Sequence, residues 1–253
     1  MTLTLEDWHR RFRMQARWTE SIRAHLFSRA GLDRGHFALE AGCGTGAVSA
    51  PAALTYPRVR FIGVDIDEPR LRFARGLDRK SRYAGGDARG LPFPDETFDL
   101  SFCHYLLLWI PDPLEALREM ARVTRRGGWV AALAEPDYGG RIDYPPPLDS
   151  FGRRQAVSLR RQGADPEVGR SLAGMLASAG VQVRDSGVLG AQIRTGEDDA
   201  GEAESERRML LEDLGDELTD AERRAFLAAD HTARTEGRRV LFVPTFYAAG
   251  IRE

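Results

Sequence analysis

Three acidic side chains stand where short apolar runs of the chain end. Glu40 follows the apolar run 37–39, Asp65 ends the run 59–65, and Asp87 follows a shorter third run. Glycines at alternate positions come directly after Glu40: Gly42, Gly44 and Gly46. Glycine lets a loop turn sharply and lets its backbone approach a ligand closely. Carboxylates after the second and third strands can accept hydrogen bonds from ribose hydroxyls and from the amine of a base, so the pattern predicts a nucleoside pocket.

The elements that must position these residues alternate between strand and helix. We predict strands over 37–41, 59–65, a short run ending near 86–87, 98–104 and 129–134, and helices near 48–54, from Pro69 and from Asp112. Strict alternation implies right-handed crossovers and a parallel sheet with helices on both faces. Ligands of open α/β sheets bind at the carboxyl ends of the strands, so the three carboxylates are expected to face one crevice.

The rest of the chain is predicted to add two strands and several covering segments. An N-terminal helical segment spans about 5–31, a loop spans 137–147, and helices follow over 148–163, 168–180 and from an acidic run at 197–206 to about 237. Strands six and seven are predicted over 182–189 and 240–248. The predicted fold is α/β, a Rossmann-like doubly wound sheet of seven mostly parallel strands with helical cap or lid segments. We expect one domain over 1–253, with its core in 36–136, 168–195 and 238–250 and its caps in 1–32, 137–166 and 197–237.

Composition narrows the class of partner. The 36 basic and 38 acidic residues leave a formal net charge of −2, so nothing draws the chain as a whole to nucleic acid or an anionic membrane. Two cysteines and five scattered histidines predict neither a disulfide framework nor a metal site. The N-terminal residues show no signal pattern, and the apolar run 106–110 is too short to cross a bilayer, so we predict a cytoplasmic protein.

The glycine loop alone leaves the ligand open. Read leniently, residues 42–47 satisfy the dinucleotide pattern G-x-G-x-x-A, which would indicate a nicotinamide-dependent oxidoreductase. Glu40 argues against that ligand, because a carboxylate beside the loop repels a pyrophosphate. The same carboxylate suits a ligand that carries an ammonium and a sulfonium group, such as S-adenosylmethionine.

Four segments together resemble the class I S-adenosylmethionine-dependent methyltransferases. Residues 40–46 look like motif I of that family, 63–67 look like motif II, and 86–99 and 122–128 are similar to its later segments. The resemblance covers about residues 36–136. The final strand, with 242–247, resembles an uncharacterised bacterial branch that acts on small molecules, and the family places the last strand antiparallel.

The resemblance implies a role for each matching residue. The methionine part of the cofactor would lie against the loop, Glu40 would help orient it, and Asp65 would bind the ribose hydroxyls. Ile66 would pack on the adenine and His104 would stand beside the cofactor and the substrate entrance. The complete set of implied cofactor-binding residues is Glu40, Gly42, Cys43, Gly44, Gly46, Asp65, Ile66, Asp87, Ala88 and His104.

The methyl acceptor is less constrained than the donor. The Asn/Asp-Pro-Pro-aromatic pattern of many amine methyltransferases is absent after strand four, where the chain reads Cys-His-Tyr-Leu over 103–106. The resemblance therefore implies transfer to an O, N or C atom of a small molecule, giving S-adenosylhomocysteine, with His104, Tyr138 and Arg141 as candidates near the acceptor. A protein that binds S-adenosylmethionine without catalysis and an NAD-dependent oxidoreductase are the alternatives. The oligomeric state, the acceptor's identity and a nucleic-acid acceptor have no positive signal in the sequence.

Overall fold

The computed structural model describes residues 3–34, 37–189 and 200–253. Seven strands form one sheet in the order β3-β2-β1-β4-β5-β9-β7, and two short strands form a separate ribbon, β6-β8. Strands β1 to β5 are parallel, whereas β9 runs antiparallel to both β5 and β7. The strands are β1 Phe37–Ala41, β2 Arg60–Asp65, β3 Arg82–Gly85, β4 Phe98–Cys103, β5 Thr124–Pro136, β6 Ile142–Tyr144, β7 Val181–Leu189, β8 Val240–Phe242 and β9 Thr245–Arg252. The predicted seven-stranded, mostly parallel α/β fold with an antiparallel last strand is confirmed.

Helices cover both faces of the sheet because successive strand side chains alternate between two apolar layers. Leu39 faces the layer that α5 and α7 complete, and Ala38 faces the layer that α2 and α3 complete. Side-chain alternation therefore places Glu40 on the α2 and α3 face. The helices are α1 Leu5–Trp18, α2 Glu20–Arg29, α3 Ser49–Thr55, α4 Glu68–Leu77, α5 Pro113–Val123, α6 Leu148–Arg161, α7 Leu172–Ser178, α8 Ala200–Leu214 and α9 Asp220–Thr235.

The predicted N-terminal helical segment is two helices. The break falls at Thr19, which is buried and has φ −103° and ψ 7°. The Thr19 hydroxyl lies 3.2 Å from the carbonyl oxygen of Ala16, a local bond by which threonine competes with helical backbone bonding. The sequence showed no glycine or proline at this point, so apolar spacing alone could not reveal the break.

The predicted seventh strand is also divided. Val240–Phe242 forms β8 and pairs with β6, while Thr245–Arg252 forms β9 and enters the main sheet. Pro244 lies between them, and proline has no N–H to donate to a strand ladder. The strand β6 in turn lies inside the segment 137–147, which the sequence predicted to be loop only.

Three helices beyond the sheet form a small second cluster of apolar side chains, which we call the lid. It packs α6, α8 and α9 around a buried set that comprises Leu148, Phe151, Leu210, Leu214, Leu218, Phe226 and Ala233. Its edge carries a buried charge network. Arg239, 5 % exposed, donates to Asp143 and to Asp230 at 2.8 Å each, so the lid is tied to the β6-β8 ribbon. The neighbouring Arg238 is exposed and pairs with Glu236.

Parts of the predicted organisation fall outside these ranges. The core extension to 195 and the start of the acidic run at 197–199 lie in 190–199, and residues 1–2 and 35–36 also lie outside the described residues. The division into one core with three caps stays a prediction. Among the described helices, each is too short or too polar to cross a membrane.

Candidate functional site at the carboxyl ends of the strands

The glycine loop joins β1 to α3 and depends on left-handed backbone. Gly42, Gly44 and Gly46 have φ values of 69°, 51° and 72°, which favour glycine at each position. A Cβ on Gly42 would lie 2.4 Å from Cδ1 of Leu106, and one on Gly46 would lie 2.6 Å from the Tyr83 hydroxyl. The Cys43 side chain is buried below the loop beside Leu71, Ala74 and Tyr83, so only its backbone borders the crevice.

Glu40 is a buried acid beneath this loop. It is 2 % exposed, and its Oε2 accepts a hydrogen bond from the backbone N–H of Ser49 at 3.0 Å. Burial raises the pKa of Glu40 to about 8, because desolvation disfavours the charged form. Arg23 opposes that rise. A cation that binds beside Glu40 would lower this pKa and favour the charged carboxylate.

Asp65 ties the loop to the end of β2. Its Oδ2 accepts from the backbone N–H of Gly44 at 2.7 Å, and its Oδ1 accepts from the N–H of Asp67 at 2.9 Å. Ionised carboxylate oxygens have further lone pairs, so these two bonds leave capacity for hydroxyl donors. Ile66 follows directly and is 77 % exposed, an apolar side chain that faces solvent next to the buried Asp65.

Asp87 stands after β3 at the same edge of the sheet. Its carboxylate accepts from the backbone N–H of Arg89 at 2.9 Å and from the Arg89 guanidinium at 2.7 Å. These hydrogen bonds lower the pKa of Asp87, which keeps it charged. Ala88 is 7 % exposed and packs into the main apolar layer, so Asp87 is the accessible member of the pair.

His104 follows β4 and contacts the break between α1 and α2. Its Nε2 lies 2.9 Å from the Thr19 Oγ1. Burial and the neighbouring Arg23 lower the pKa of His104 to about 3, so the imidazole is neutral near pH 7. The next residue, Tyr105, has φ 52°, a left-handed value that a bulky side chain rarely adopts, and its ring packs edge-on against His104.

The two candidates after β5 differ in what they can do. Tyr138 is part-buried, and burial raises its pKa to about 12, so its phenol stays protonated. The Arg141 side chain is already engaged in hydrogen bonds. Its guanidinium pairs with Asp143 at 2.5 and 3.2 Å and also donates to Gln155, which places it inside the β6 and α6 packing. The Tyr138 hydroxyl lies near the charges of Asp213 and Arg11, while the Arg141 guanidinium is held by Asp143 and Gln155.

Sequence reasoning missed Glu135, near the end of β5. The side chain is fully buried and accepts backbone hydrogen bonds from Leu106 and Leu107 at 2.9 Å and from Leu108 at 3.2 Å. Burial raises its pKa to about 7. An acid directly after the apolar run 129–134 is the same signal that singled out Glu40, so it could have been found. Glu135 holds the segment after β4 in place.

Helix α1 lies over the glycine loop, a placement that sequence reasoning did not give. His9 Nδ1 is 2.8 Å from Thr45 Oγ1, and a Cβ on Gly44 would meet the Phe12 ring at 3.4 Å. The same helix reaches the lid, where Arg208 lies 3.4 Å from Asp7. Helix α1 therefore borders both the loop and the lid.

The part of the chain that the structure describes holds no group of three or more His, Cys, Asp or Glu side chains that could bind a metal ion. Cys43 and Cys103 are both buried as free thiols. Burial raises the pKa of both thiols well above its usual value, so neither is a thiolate near neutral pH.

Residues 39–132 match the Methyltransferase domain family. An uncharacterized methyltransferase of Schizosaccharomyces pombe is 31 % identical over 153 residues, which are 56 % of this chain and 55 % of that protein. The demethylmenaquinone methyltransferase of Roseiflexus sp. strain RS-1 is 36 % identical over 138 residues, 51 % of this chain and 56 % of that one. The chain thus spans about half the length of the curated relatives it matches.

A solved structure shares the fold over most of the chain. It is the geranyl diphosphate C-methyltransferase from Streptomyces coelicolor A3(2), in complex with Mg²⁺, geranyl diphosphate and S-adenosyl-L-homocysteine. The two align with a TM-score of 0.56 at 15 % identity, covering 92 % of this chain and 79 % of that one. At this identity the likeness shows the fold alone, and it extends well beyond the segment that the family matches.

Proposed function

We propose that the chain transfers a methyl group from S-adenosylmethionine to a small molecule, because residues 39–132 match the Methyltransferase domain family. The acceptor atom would be O, N or C, and S-adenosylhomocysteine would be the second product. One observation carries the proposal. The 2.7 Å bond from Gly44 N–H to Asp65 joins the glycine loop to the second strand end, with the buried Glu40 beneath the same loop.

The residues present fit this cofactor. The left-handed glycines form a loop without side chains, whose backbone can approach a ligand closely, and Glu40 offers a carboxyl to a cationic ligand. Asp65 has lone pairs left for two ribose hydroxyls, and the exposed Ile66 offers an apolar surface to a base. Asp87 would accept from an exocyclic amine while Arg89 keeps it charged. We propose these roles as the cofactor-binding set, with the loop glycines, the Cys43 backbone, Ala88 and His104 completing it.

The bound cofactor would supply an electrophilic methyl group on a sulfonium. The chain's own contribution would be alignment and exclusion of water, which can supply much of the acceleration in an in-line displacement. Neutral His104, with its pKa of about 3, is a weak proton acceptor, and Tyr138 stays a phenol near pH 7. We therefore propose that both orient ligands by hydrogen bonds and that neither acts as a strong general base.

A small acceptor fits the surroundings of the crevice. Helix α1 lies over the glycine loop and contacts the lid, and the described surface there mixes acidic and basic side chains in ion pairs, such as Arg208 with Asp7. The demethylmenaquinone methyltransferase among the relatives is named for a small molecule, which supports an acceptor of that kind here. We further propose that the core and its three caps act as one domain.

Calorimetric titration with S-adenosylmethionine, S-adenosylhomocysteine and NAD tests the donor. We expect both adenosyl ligands to bind and NAD to give no heat of binding. Tight binding of NAD without a response to the other two would refute the proposal and favour the oxidoreductase alternative.

A mass-spectrometric screen for methylated products then tests catalysis. The protein is incubated with S-adenosylmethionine and a panel of phenols, carboxylic acids, amines and activated carbon acids, with Asp65→Ala as a comparison variant that is expected to bind the donor more weakly. We expect a methylated product in at least one class. Cofactor binding without any product across the panel would favour a non-catalytic binding protein instead.

A further inference from the structure

Arg11 is a buried cation whose hydrogen-bonding capacity is only partly used. Its side chain, on α1, is 11 % exposed, and Nη1 lies 3.7 Å from Oδ1 of Asp213. Hydrogen-bonded arginine–carboxylate pairs are closer, about 2.7–2.9 Å. Within the described part of the chain, Nε and Nη1 are buried and have no hydrogen-bond partner. A buried donor left unpaired costs free energy, so the position favours a further acceptor.

Asp213 does not balance this cation well. Its Oδ2 accepts from Nε2 of Gln155 at 2.5 Å, and its backbone carbonyl accepts from the Ser158 hydroxyl at 2.6 Å, which fixes it to α6. Burial raises the pKa of Asp213 and so works against its charged form. The guanidinium of Arg11 lies 4.9 Å from the centre of the Trp8 ring, a contact that supports a cation without neutralising it.

Arg11 lies close enough to two tyrosines to act on their hydroxyls. Arg11 acts electrostatically on the hydroxyls of Tyr105 and Tyr138, which follow β4 and β5. Asp213 belongs to the lid helix α8. The proposed cofactor contacts, by contrast, follow mostly β1, β2 and β3. The cation that acts on Glu40 there is Arg23.

Among the described side chains, a second arginine also acts on Tyr138, but its guanidinium is already hydrogen-bonded. Arg141 is the other arginine that acts on that hydroxyl, and both ends of its guanidinium are taken by Asp143 and Gln155. Arg11 is therefore the arginine of this pair with nitrogens left to donate.

We propose that Arg11 binds an anionic group of the methyl acceptor, a carboxylate or a phosphate, with Tyr105 and Tyr138 beside it. That the bound anion is the methyl acceptor rests on the proposed function, while the anion site itself rests on the unpaired nitrogens of Arg11. In this role Arg11 is a positioning residue, since it would hold the end of the acceptor that does not react. Guanidinium groups suit both anions because they donate several directed hydrogen bonds. The proposal narrows the acceptors to small molecules with a negative charge.

Paired probes that differ in charge test this site by calorimetry, both with saturating S-adenosylhomocysteine and without it. The pairs are hexanoate with hexanamide, benzoate with benzamide, and phenyl phosphate with phenol. We expect the anion of at least one pair to bind wild-type protein at least tenfold more tightly than its neutral partner. We expect Arg11→Gln to reduce that ratio to less than twofold and Arg11→Lys to restore part of it. Arg10→Gln is the matched control, because Arg10 lies on the same helix with its side chain 70 % exposed.

Three results would overturn the inference. They are the absence of any charge preference in the wild-type protein, an unchanged preference in Arg11→Gln that unfolds like the wild type, and a tenfold loss of S-adenosylhomocysteine affinity in Arg11→Gln. The last result would assign Arg11 to the carboxylate of the cofactor. Failure of S-adenosylhomocysteine to bind the wild-type protein would refute the proposed function alone, because the anion preference is also measured without it.

Discussion

The raised pKa of Glu40 predicts how many protons the protein releases when it binds a cationic ligand. Its pKa of about 8 means that the carboxyl is about 90 % protonated at pH 7 in the free protein. An opposite charge within about 4–6 Å lowers a carboxyl pKa by about 1 to 3. Binding a ligand with an ammonium and a sulfonium group beside the loop would then bring the pKa of Glu40 to about 5 to 7. At pH 7 this corresponds to a release of about 0.4 to 0.9 proton for each ligand bound.

Calorimetry in two buffers with different ionisation enthalpies measures that release. The variant is Glu40→Gln, which keeps the shape of the side chain and replaces the ionisable carboxyl with an amide that does not titrate. We expect the wild-type protein to release about 0.4 to 0.9 proton more than this variant on binding S-adenosylmethionine at pH 7. Glu236→Gln is the control, because Glu236 is an exposed acid at the end of α9. Equal proton release by the wild type and Glu40→Gln would refute the reasoning, since Glu40 would then not change its charge.

The raised pKa of Glu40 also predicts how the stability of the free protein depends on pH. A carboxyl whose pKa is raised from 4.5 to about 8 on folding binds its proton more tightly in the folded state. Its contribution to stability is complete below about pH 4.5 and is lost as the pH rises towards 8. The thermal midpoint of the wild type is therefore expected to fall more steeply over that interval than that of Glu40→Gln. Parallel curves would contradict the raised pKa.

The remaining predictions concern binding and packing. In a calorimetric titration, Asp65→Ala is expected to weaken S-adenosylhomocysteine binding at least tenfold, about 1.4 kcal/mol. An unchanged affinity would show that Asp65 only holds the loop through Gly44 and does not bind the ligand. Gly42→Ala is expected to lower both stability and that affinity, whereas Gly127→Ala, also at positive φ but with open space around its Cβ, should cost only about 1–2 kcal/mol in urea unfolding. Equal losses of stability in the two variants would show that the close approach of a Gly42 Cβ to Leu106 adds no cost. Arg239→Met is expected to cost about 3 kcal/mol in the same assay, because two buried carboxylates lose a partner. Arg238→Met should cost less than about 1 kcal/mol, and similar losses would show that burial of the network is unimportant.

The parts that the sequence predicted well are those set by local patterns. Strands β1 to β5 and the helices between them follow apolar runs, caps and glycine stops that lie within a few residues of each other. The Thr219 cap of α9 is a clear case, since Thr219 and Glu222 stand three residues apart in the sequence and form a capping box in the structure. Glu40 and Asp65 also lie where the sequence placed them, at the ends of neighbouring strands.

The parts that it predicted poorly depend on contacts between distant segments. Pro244 divides the last strand because β8 pairs with β6, about a hundred residues earlier, which no local pattern encodes. Arg141 stays a candidate for substrate contact, and its partner Gln155 comes from the packing of α6, which the sequence did not indicate. Arg11 was not singled out, because one arginine among many in a sequence shows neither its burial nor the distance of its nearest carboxylate. A charged side chain that no local motif marks therefore needs the structure before a role can be proposed for it.

Helix α1 has a consequence for the order of events in a reaction cycle. It contacts the glycine loop through His9 and the lid through Asp7, so both ligands would enter and leave past the same element. Lifting α1 breaks contacts on both sides at once, which couples exchange at one site to exchange at the other. Each ligand would then change the affinity of the protein for the other. The affinity for one ligand, measured with and without the other, would record the movement of a single helix.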